Sequence, residues 1–214
     1  MVVGWSGFVL GLCSVPKTRH VMFESGLPSY SSGGKYEIVT MPDKGGFGIL
    51  AACDLVPGEL LLREAPLLRL TPGDGGIDAA HGLGGDRERC RALLATLSQR
   101  VGGNQGSAAS DVHTANFDAV IRTNGFVIDD SGETVVFLTI SRINHDCSPN
   151  AMLRWDEETA EASIVIEQPV SAGREVTIDY GAMGDVGARR RHLKDRFGFD
   201  CACALCTAEL SRVS

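Results

Sequence analysis

Short runs with apolar residues at alternate positions dominate the chain, and two segments in its middle have the spacing of helices instead. In 162–167, for instance, apolar residues occupy every second position, the period of a strand with one buried face. Turn signals such as Pro57-Gly58 separate the runs. The pattern predicts a mostly β core whose strands span 36–41, 59–63, 135–140, 151–155, 162–167 and 175–179.

Helical spacing marks three segments in all. Apolar residues recur three and four positions apart within 90–97 and again within 117–121, which predicts two helices between the second and third β runs. A third helix is predicted at about 186–196; it is strongly basic and runs directly into a cysteine-rich tail. Glycine-rich stretches at 71–86 and 102–110 flank the first helix and are predicted loops.

One main domain accounts for most of the chain. Its 214 residues provide room for a single core of about 100–200 residues with appendages. Residues 24–35 are rich in Ser, Gly and Pro, so 1–35 are predicted to form an N-terminal segment and linker. The folded domain is expected at 36–181 with a helical insert at about 71–125, followed by a C-terminal helix and tail at 182–214.

Composition excludes several classes of protein. With 20 Lys and Arg against 27 Asp and Glu the formal charge is -7, so the surface has no overall attraction for nucleic acid or anionic membranes. No stretch reaches the roughly 20 consecutive apolar residues that span a bilayer. Residues 1–15 are uncharged, but they lack a basic start and a small-x-small cleavage site, which disfavours a signal peptide.

The cysteines carry the strongest chemical signal. Three of the seven, Cys201, Cys203 and Cys206, fall within six positions, too close together for three independent disulfides. They offer one ion three thiolates, whereas tetrahedral Zn²⁺ takes four ligands. We therefore expect metal binding in a reducing compartment, the alternative being buried thiols. The isolated cysteines are expected to be small core residues; they are Cys13, Cys53 and Cys90.

The Gly46-Phe47-Gly48 motif has two interpretations. It is either a tight turn between strands or a place where the lack of side chains lets the backbone approach a ligand. The motif does not continue as G-x-G-x-x-G, and β-type residues surround it. A Rossmann phosphate loop is therefore disfavoured.

Polar residues interrupt the apolar run 135–143 at its end. Asn144 and His145 there are either hydrogen-bonded core residues or functional groups. The segment continues to residue 150 as Asp-Cys-Ser-Pro-Asn, so it contains Cys147 and is no ordinary strand. Tyr180, at the end of another β run, is either a strand-end aromatic or a site residue.

Together and in this order, the motifs resemble those of the SET-domain protein methyltransferases, and most closely the SET- and MYND-containing branch. The resemblance covers about 36–206 and rests on the G-x-G motif, 54–62, 144–150 and 175–180, followed by the cysteine-rich tail. It implies an α+β SET-domain fold of small curved β-sheets with a helical insert, a threaded C-terminal segment and a post-SET zinc site.

The resemblance also implies roles for individual residues. In the family, the G-x-G backbone, the Asn-His pair, a further asparagine and a tail aromatic bind S-adenosylmethionine, a tyrosine lines the lysine channel, and four cysteines hold a structural zinc ion. In this chain the cofactor residues would be Gly46, Phe47, Gly48, Asn124, Asn144, His145 and Phe199, the catalytic residue Tyr180, and the zinc ligands Cys147, Cys201, Cys203 and Cys206.

The chain departs from the family pattern in several places. A MYND module needs about eight Cys and His ligands for two four-coordinate sites, and only three such residues lie where it would be, so the module is predicted to be absent. The basic residue often found directly before the G-x-G is Lys44, one position further back. Asp146 stands where Ser is commoner, and Phe197 where a channel tyrosine is often found, which leaves the number of methyl groups transferred open.

The resulting hypothesis is a protein-lysine N-methyltransferase of the nucleus or cytoplasm that uses S-adenosylmethionine and structural zinc. As a monomer, it would act on a lysine ε-amine of a histone or another protein, without sequence-specific nucleic acid binding or membrane attachment. One alternative is a catalytically silent SET module that serves as a protein-binding scaffold. Another, a purely structural zinc module, leaves the G-x-G and Asn-His motifs without a purpose. The basic segment 189–196 is either a solvated face or a contact for an acidic partner.

Overall fold

The computed structural model describes residues 34–72, 87–97, 117–130 and 132–213. The predicted N-terminal segment as far as residue 33 lies outside the described residues, as do 73–86 and the predicted loop at 102–110. No helix in the described part is long and apolar enough to cross a membrane.

Ten short strands in the described part of the chain form three small sheets. In chain order the strands are β1 Tyr36–Met41, β2 Gly46–Ala51, β3 Leu60–Glu64, β4 Leu68–Leu70, β5 Gly125–Val127, β6 Thr134–Val136, β7 Asn144–His145, β8 Ala151–Asp156, β9 Glu161–Ile166 and β10 Glu175–Ile178. A four-stranded sheet has the order β1-β2-β10-β7, and two three-stranded sheets have the orders β3-β9-β8 and β4-β6-β5.

The four-stranded sheet brings distant parts of the chain together. β10 runs antiparallel to β2 and parallel to β7, with Thr177 opposite Asn144 and Ile178 opposite His145. The pairing fixes the Asn-His motif beside the strand that ends just before Tyr180. His145 and Tyr180 therefore become neighbours although 35 positions separate them in sequence.

Four helices lie in the described residues: α1 Arg87–Leu94, α2 Phe117–Asn124, α3 Val186–Phe197 and α4 Ala204–Val213. The first three agree with the predicted helices to within about a turn. α3 begins where the Asp185 carboxylate accepts the Ala188 N–H at 2.8 Å. It ends at Gly198, whose φ of 76° is a left-handed conformation that favours glycine.

Two groups of buried side chains matter for the site. The first, called the β core below, has sixteen buried apolar residues, among them the fully buried Ile49, Phe137, Ile164 and Val176. Burying each large apolar side chain stabilises the fold by about 1.5–3 kcal/mol. The second, called the tail cluster below, consists of Ala182, Leu193, Phe197, Cys201 and Cys206.

The predicted strand at 135–140 is wrong beyond Val136. The carboxylate of Glu64, at the end of β3, accepts the backbone N–H groups of Leu138, Thr139 and Ile140 at 2.8–3.0 Å. These bonds turn the chain into a single 3-10 helix at Ile140–Arg142. Burial raises the pKa of Glu64, and the three N–H donors partly offset this effect. A carboxylate from another part of the chain thus overrides the local β pattern.

The interpretation of the G-x-G motif as a tight turn is also wrong. Gly46-Phe47-Gly48 opens β2 and pairs with β1 in an antiparallel register, with Val39 opposite Gly48. The reversal comes earlier, at the 3-10 helix Pro42–Lys44. The two glycines are therefore strand residues, and a turn conformation does not explain why these positions lack side chains.

Candidate cofactor cleft and cysteine cluster

Four cysteines from two distant segments meet at one point. The Sγ atoms of Cys147, Cys201, Cys203 and Cys206 all lie within 4.8 Å of one another. Cys147 Sγ is 3.5 Å from that of Cys206 and 3.9 Å from that of Cys201. Four sulfurs placed tetrahedrally at about 2.3 Å from Zn²⁺ would be about 3.8 Å apart. The four thiols thus have the spacing of a closed, tetrahedral zinc site.

The surroundings of Cys147 and Cys201 disfavour the thiolate, whereas the pKa of Cys203 is lowered, because hydrogen bonds outweigh the effect of its burial. Burial raises the pKa of Cys147, and it raises the pKa of Cys201 to about 11. Without a metal these thiols are therefore neutral at physiological pH. A divalent cation at their centre would release the protons, because only the thiolate is a metal ligand.

A buried arginine lies beside the sulfurs. Arg189, on α3, places Nη2 3.9 Å from Cys206 Sγ and donates to Glu209 at 2.8 Å. The hydrogen bond to Glu209 raises the pKa of Arg189 above its usual value. Zn²⁺ with four thiolates carries a net charge of about -2, which a guanidinium at this position would partly neutralise. The interpretation of the basic helix as a wholly solvated face is therefore wrong for Arg189.

Asn144 links β7 to the two strands that carry the other motifs. Its Nδ2 donates to the backbone oxygen of Phe47 at 3.0 Å and to Glu175 Oε1 at 2.8 Å. Both amide hydrogens are thus used to hold the G-x-G strand and β10 in place. The Asn144 side chain therefore connects two strands and also forms part of a cavity wall.

His145 connects the cysteine cluster to Tyr180. Its Nδ1 accepts the Tyr180 backbone N–H at 3.1 Å, so the ring proton of a neutral imidazole resides on Nε2. Nε2 lies 3.2 Å from Cys147 Sγ and donates to it. Burial lowers the pKa of His145, which favours this neutral form. Hydrogen bonds of this kind orient a metal ligand from behind.

The Tyr180 hydroxyl has a fixed orientation. It donates to the backbone oxygen of Ile143 at 2.7 Å, so its hydrogen is committed and its oxygen remains an acceptor. The ring packs 4.7 Å from the Phe197 ring and 5.3 Å from the His145 ring, measured between centroids. The rings of His145 and Phe197 thus both pack against the ring of Tyr180.

Gly48 is needed for the position of Asn144. A Cβ atom at Gly48 would clash with the Met41 sulfur and lie 2.9 Å from Asn144 Nδ2. Gly46 and Phe47 line the adjacent cavity, whereas Gly48 is buried behind it. Gly48 would therefore contribute to a ligand site only indirectly, because it leaves space for the Asn144 side chain.

Two cavities meet at Tyr180. One, of about 620 Å³, is lined by Gly46, Phe47, Asn144, His145 and Phe199, and is called the cofactor cleft below. The other, of about 720 Å³, is lined by residues such as Phe126, Met152 and Leu153 and is called the second cavity. Both volumes are typical of small-molecule sites. Both cavities are also lined by Tyr180, Asn124, Ser141 and Phe197.

The remaining predicted site residues also lie at the cofactor cleft. Asn124, at the end of α2, is buried and donates Nδ2 to the Val120 oxygen at 2.7 Å. Phe199 packs its ring 6.2 Å from that of His145. The structure thus brings every predicted cofactor residue to this cleft or, for Gly48, directly behind it.

Two residues, one lining the cleft and one beside it, are missing from the site residues predicted from the sequence. Arg142 lines it with a buried guanidinium, and Glu175 holds Asn144. The signal for Arg142 was a charged residue inside the apolar run 135–143. Such a residue is rarely buried unless it has a partner.

A family model described as SET domain matches residues 46–181 of this chain. Because this match covers more than half of the chain, the protein belongs to the SET domain family. The predicted SET-domain fold of small sheets and helices is confirmed.

Individual relatives match over different shares of the chain. Histone-lysine N-methyltransferase set5 of Schizosaccharomyces pombe is 25% identical over 185 residues, which are 83% of this chain and 52% of that protein. Protein-lysine N-methyltransferase SMYD4 of Homo sapiens is 34% identical over 98 residues, 42% of this chain and 12% of that protein. A solved structure of the Chaetomium thermophilum polycomb repressive complex 2 is 15% identical, with a TM-score of 0.36 over 63% of this chain and 14% of the other. The chain thus spans about half the length of set5 and a smaller share of SMYD4.

Proposed function

We propose that this SET domain transfers a methyl group from S-adenosylmethionine to a lysine ε-amine of a protein substrate. The observation that carries the proposal is the position of Tyr180 in the wall shared by two cavities. A methyl donor in one cavity and a lysine entering from the other would meet at its hydroxyl. Named histone-lysine and protein-lysine N-methyltransferases among the relatives favour the same reaction.

The cofactor cleft fits S-adenosylmethionine in size and in chemistry. It combines an aromatic ring, Phe199, with the polar groups of Asn124 and Asn144, and the backbone of Gly46 and Phe47 is accessible along its wall. When bound, the cofactor supplies an electrophilic methyl group on a sulfonium. The residues that would hold it are Gly46, Phe47, Asn124, Asn144, His145 and Phe199, with Gly48 supporting Asn144.

Tyr180 would orient the incoming amine. Because its hydroxyl hydrogen is donated to Ile143, the oxygen can accept an N–H of the amine. This contact turns the nitrogen lone pair toward the methyl group. Placement of this kind is the main source of catalysis in an in-line transfer between two held groups.

The aromatic wall would also favour the reactive form of lysine. A free lysine has a pKa of about 10.4 and is mostly an ammonium ion, which is not a nucleophile. Desolvation against the rings of Tyr180 and Phe197 lowers the pKa of an amine, because burial disfavours its charged form. The neighbouring sulfonium charge acts in the same direction.

The zinc ion is proposed to be structural. Four sulfurs fill its coordination sphere, so the site has no open position for substrate. Two of the ligands, Cys201 and Cys203, also line the cofactor cleft, and Phe199 lies just before them. The metal would therefore fold the wall of the cleft that carries Phe199.

Substrate and location follow from the same proposal. The set5 relative is named for histone-lysine methylation, and SMYD4 for protein-lysine methylation in general. A histone or another protein, in the nucleus or the cytoplasm, is accordingly the proposed target. The monomeric state stays a prediction.

A binding measurement followed by a transfer assay tests the proposal. Calorimetric titration is expected to give one S-adenosylmethionine per chain without added magnesium. Radiolabelled cofactor is then expected to label lysine in histones or a cell extract. Binding without transfer to any substrate would favour the silent-scaffold alternative, and absence of binding would refute the proposed function.

A further inference from the structure

Six large apolar side chains of the described residues are exposed, and two of these line the second cavity. They are Val127, which is 55% exposed, and Met152, which is 46% exposed. The other four lie outside both cavities; they are Val56, Leu60, Met183 and Leu210. Single exposed apolar residues are ordinary on a protein surface, whereas exposed apolar residues grouped at a cavity are typical of a binding site.

Met152 breaks the polar pattern on the solvent face of its strand. On β8 the side chains of Ala151 and Leu153 pack in or against the β core. The alternate positions are exposed, and two of them carry Arg154 and Asp156, as expected for a strand with one face in water. Met152 is the third exposed position. An apolar contact from outside this chain would explain a methionine there.

Val127 lies on the outer strand of a different sheet. In the described part of the chain, β5 is the outer strand in the order β4-β6-β5, and β8 is the outer strand in the order β3-β9-β8. Residues of both strands line the second cavity, as does Tyr180. The two exposed apolar side chains therefore lie at the cavity through which the lysine would reach the Tyr180 hydroxyl.

The acidic side chains at the second cavity suit a lysine. Glu167 and Asp179 line it, and Glu167 is already paired with an arginine of β8 at 3.2 Å. No Lys or Arg of the described residues lies within ion-pair distance of Asp179. The basic residues at the cavity, His192 and Arg196, are on α3, whereas Asp179 directly precedes Tyr180. A carboxylate in this position attracts an incoming ammonium group.

The second cavity also has room for more than one side chain. Its volume of about 720 Å³ is that of a site for a whole small molecule. In an extended peptide, side chains two positions apart point to the same side, about 6.5–7 Å from each other. A lysine that enters the cavity therefore directs the side chains two positions before and after it toward the same surface. This surface is where Val127 and Met152 are exposed.

We propose that the second cavity selects substrates in which an apolar residue lies two positions before or after the target lysine. The proposal rests on the proposed function, which supplies the lysine-bearing substrate, and it narrows the class of that substrate. The apolar residue, such as Leu or Met, packs on Val127 and Met152. A Ser at the same position would gain little from this contact, and a Glu would lose part of its hydration without a partner.

A peptide library with a fixed central lysine tests the selection without knowledge of the natural target. The three positions on each side are varied one at a time, and transfer of a radiolabelled methyl group is measured. Leu or Met at one of the second positions is expected to raise kcat/KM by about 10-fold over Ser, the low end of what apolar contacts contribute in a hydrophobic site. The gain should appear in KM, because the contact is the same before and during transfer.

Two matched pairs of variants identify the residues that make the contact. Val127→Thr combined with Met152→Gln keeps the size of both side chains and removes apolar surface, so the preference should fall to about 3-fold or less. Val56→Thr and Met183→Gln make the same changes at exposed positions outside both cavities and should leave the preference unchanged. Zinc content and S-adenosylmethionine affinity verify that each variant is folded.

The possible outcomes separate the selection from the methyl transfer itself. A library that is methylated without preference at the second positions would overturn the selection and leave the proposed function intact. A preference that persists in the variant combining Val127→Thr with Met152→Gln would also overturn the proposal.

The sites methylated in a cell extract give a second readout. If the library is not methylated and extract proteins are, mass spectrometry of their methylated lysines provides the same comparison. Apolar residues enriched at the second positions would support the proposal, and their absence would overturn it. If no peptide, histone or extract protein is methylated, the proposed function fails, and the selection fails with it.

Discussion

The β core and the tail cluster are held together in different ways. In the β core sixteen apolar side chains are buried, and eleven of them lie on strands of the three sheets. In the tail cluster only five residues are buried, and two of them are cysteines. Cys147, from the β side, joins the tail sulfurs across 54 positions of sequence. Apolar burial can sustain the first region, whereas in the second the proposed zinc ion would link the four cysteines.

The cofactor cleft lies between these two regions, and each provides one of its walls. Gly46, Phe47 and Asn144 belong to the four-stranded sheet, whereas Phe199 and Cys203 belong to the tail. A ligand in this cleft therefore depends on both kinds of stability at once. Separate perturbation of the two walls tests this view, and the following experiments are ordered by expected effect.

Metal removal should separate the two regions most strongly. A chelator strong enough to take the zinc, or Cys147→Ser, is expected to abolish S-adenosylmethionine binding, because a structural zinc site supplies about 10 kcal/mol or more of folding free energy. Hydrogen exchange should become fast in 182–213, while 151–166 stays protected. Cys53→Ser, a cysteine outside the cluster, should keep one zinc per chain. Full cofactor affinity in metal-free protein would contradict the proposed dependence of the tail wall on zinc.

Tyr180→Phe should affect turnover and leave both walls intact. Loss of the oriented hydroxyl is expected to lower turnover by about 10²-fold, the scale of a positioned catalytic hydrogen bond. Cofactor affinity should hardly change, since the ring and its packing remain. Tyr36→Phe, on β1 against the β core, should retain wild-type turnover. Normal turnover of the Tyr180→Phe protein would show that the tyrosine hydroxyl takes no part in the catalytic step.

Gly48→Ala perturbs the sheet wall alone. The added Cβ should displace the Met41 and Asn144 side chains and weaken S-adenosylmethionine binding by about 10-fold, because overpacking of this kind costs about 1–3 kcal/mol. Zinc content should stay at one per chain. If Gly48 acts through Asn144, its effect should nearly vanish in an Asn144→Ala background. Additive effects of the two substitutions would instead indicate direct contact between Gly48 and the ligand.

Phe197→Tyr should have the smallest effect on the first methyl transfer and a larger one on later transfers. A hydroxyl added to this ring, whose centroid is 4.7 Å from that of Tyr180, narrows the space in which a methylated amine must turn. Initial turnover is expected to change by less than about 3-fold, within the range of a tolerated aromatic substitution. Mass spectrometry of a substrate peptide should show fewer methyl groups per lysine. An unchanged product distribution would show that this ring does not limit the channel.

Alternation of apolar residues predicted most of the strands because it reports a local property, the buried face of each strand. β9, for example, buries Ala162, Ile164 and Ile166 at every second position, as its sequence indicates. The strand expected at 135–140 failed because the Glu64 carboxylate, 74 or more positions away, captures its N–H groups. Long-range contacts of this type leave no trace in a local pattern.

The site could be predicted only in part. The resemblance to SET-domain proteins identified the residues that meet at the cleft. The four cysteines that it assigned as zinc ligands do lie together. Their roles toward cofactor and zinc stay predictions until ligands are measured. Arg142 could not be assigned, because its burial depends on Thr96 and Phe47, which reach it only in the folded chain. The helix α4 and the strands β2, β4, β5 and β7 were not predicted from the sequence pattern.

The parallel pairing of β7 with β10 affects the order in which parts of the domain fold while the chain is being synthesised. The β8–β9 hairpin closes as soon as its own residues are available, because its partners are neighbours in sequence. The Asn-His strand must wait for β10, and the cysteine that follows it must wait for Cys206. At about 5–20 residues per second on the ribosome, this delay is on the order of seconds. A nascent chain that stops short of Cys206 can thus contain a folded hairpin while the proposed cofactor cleft still lacks part of its wall.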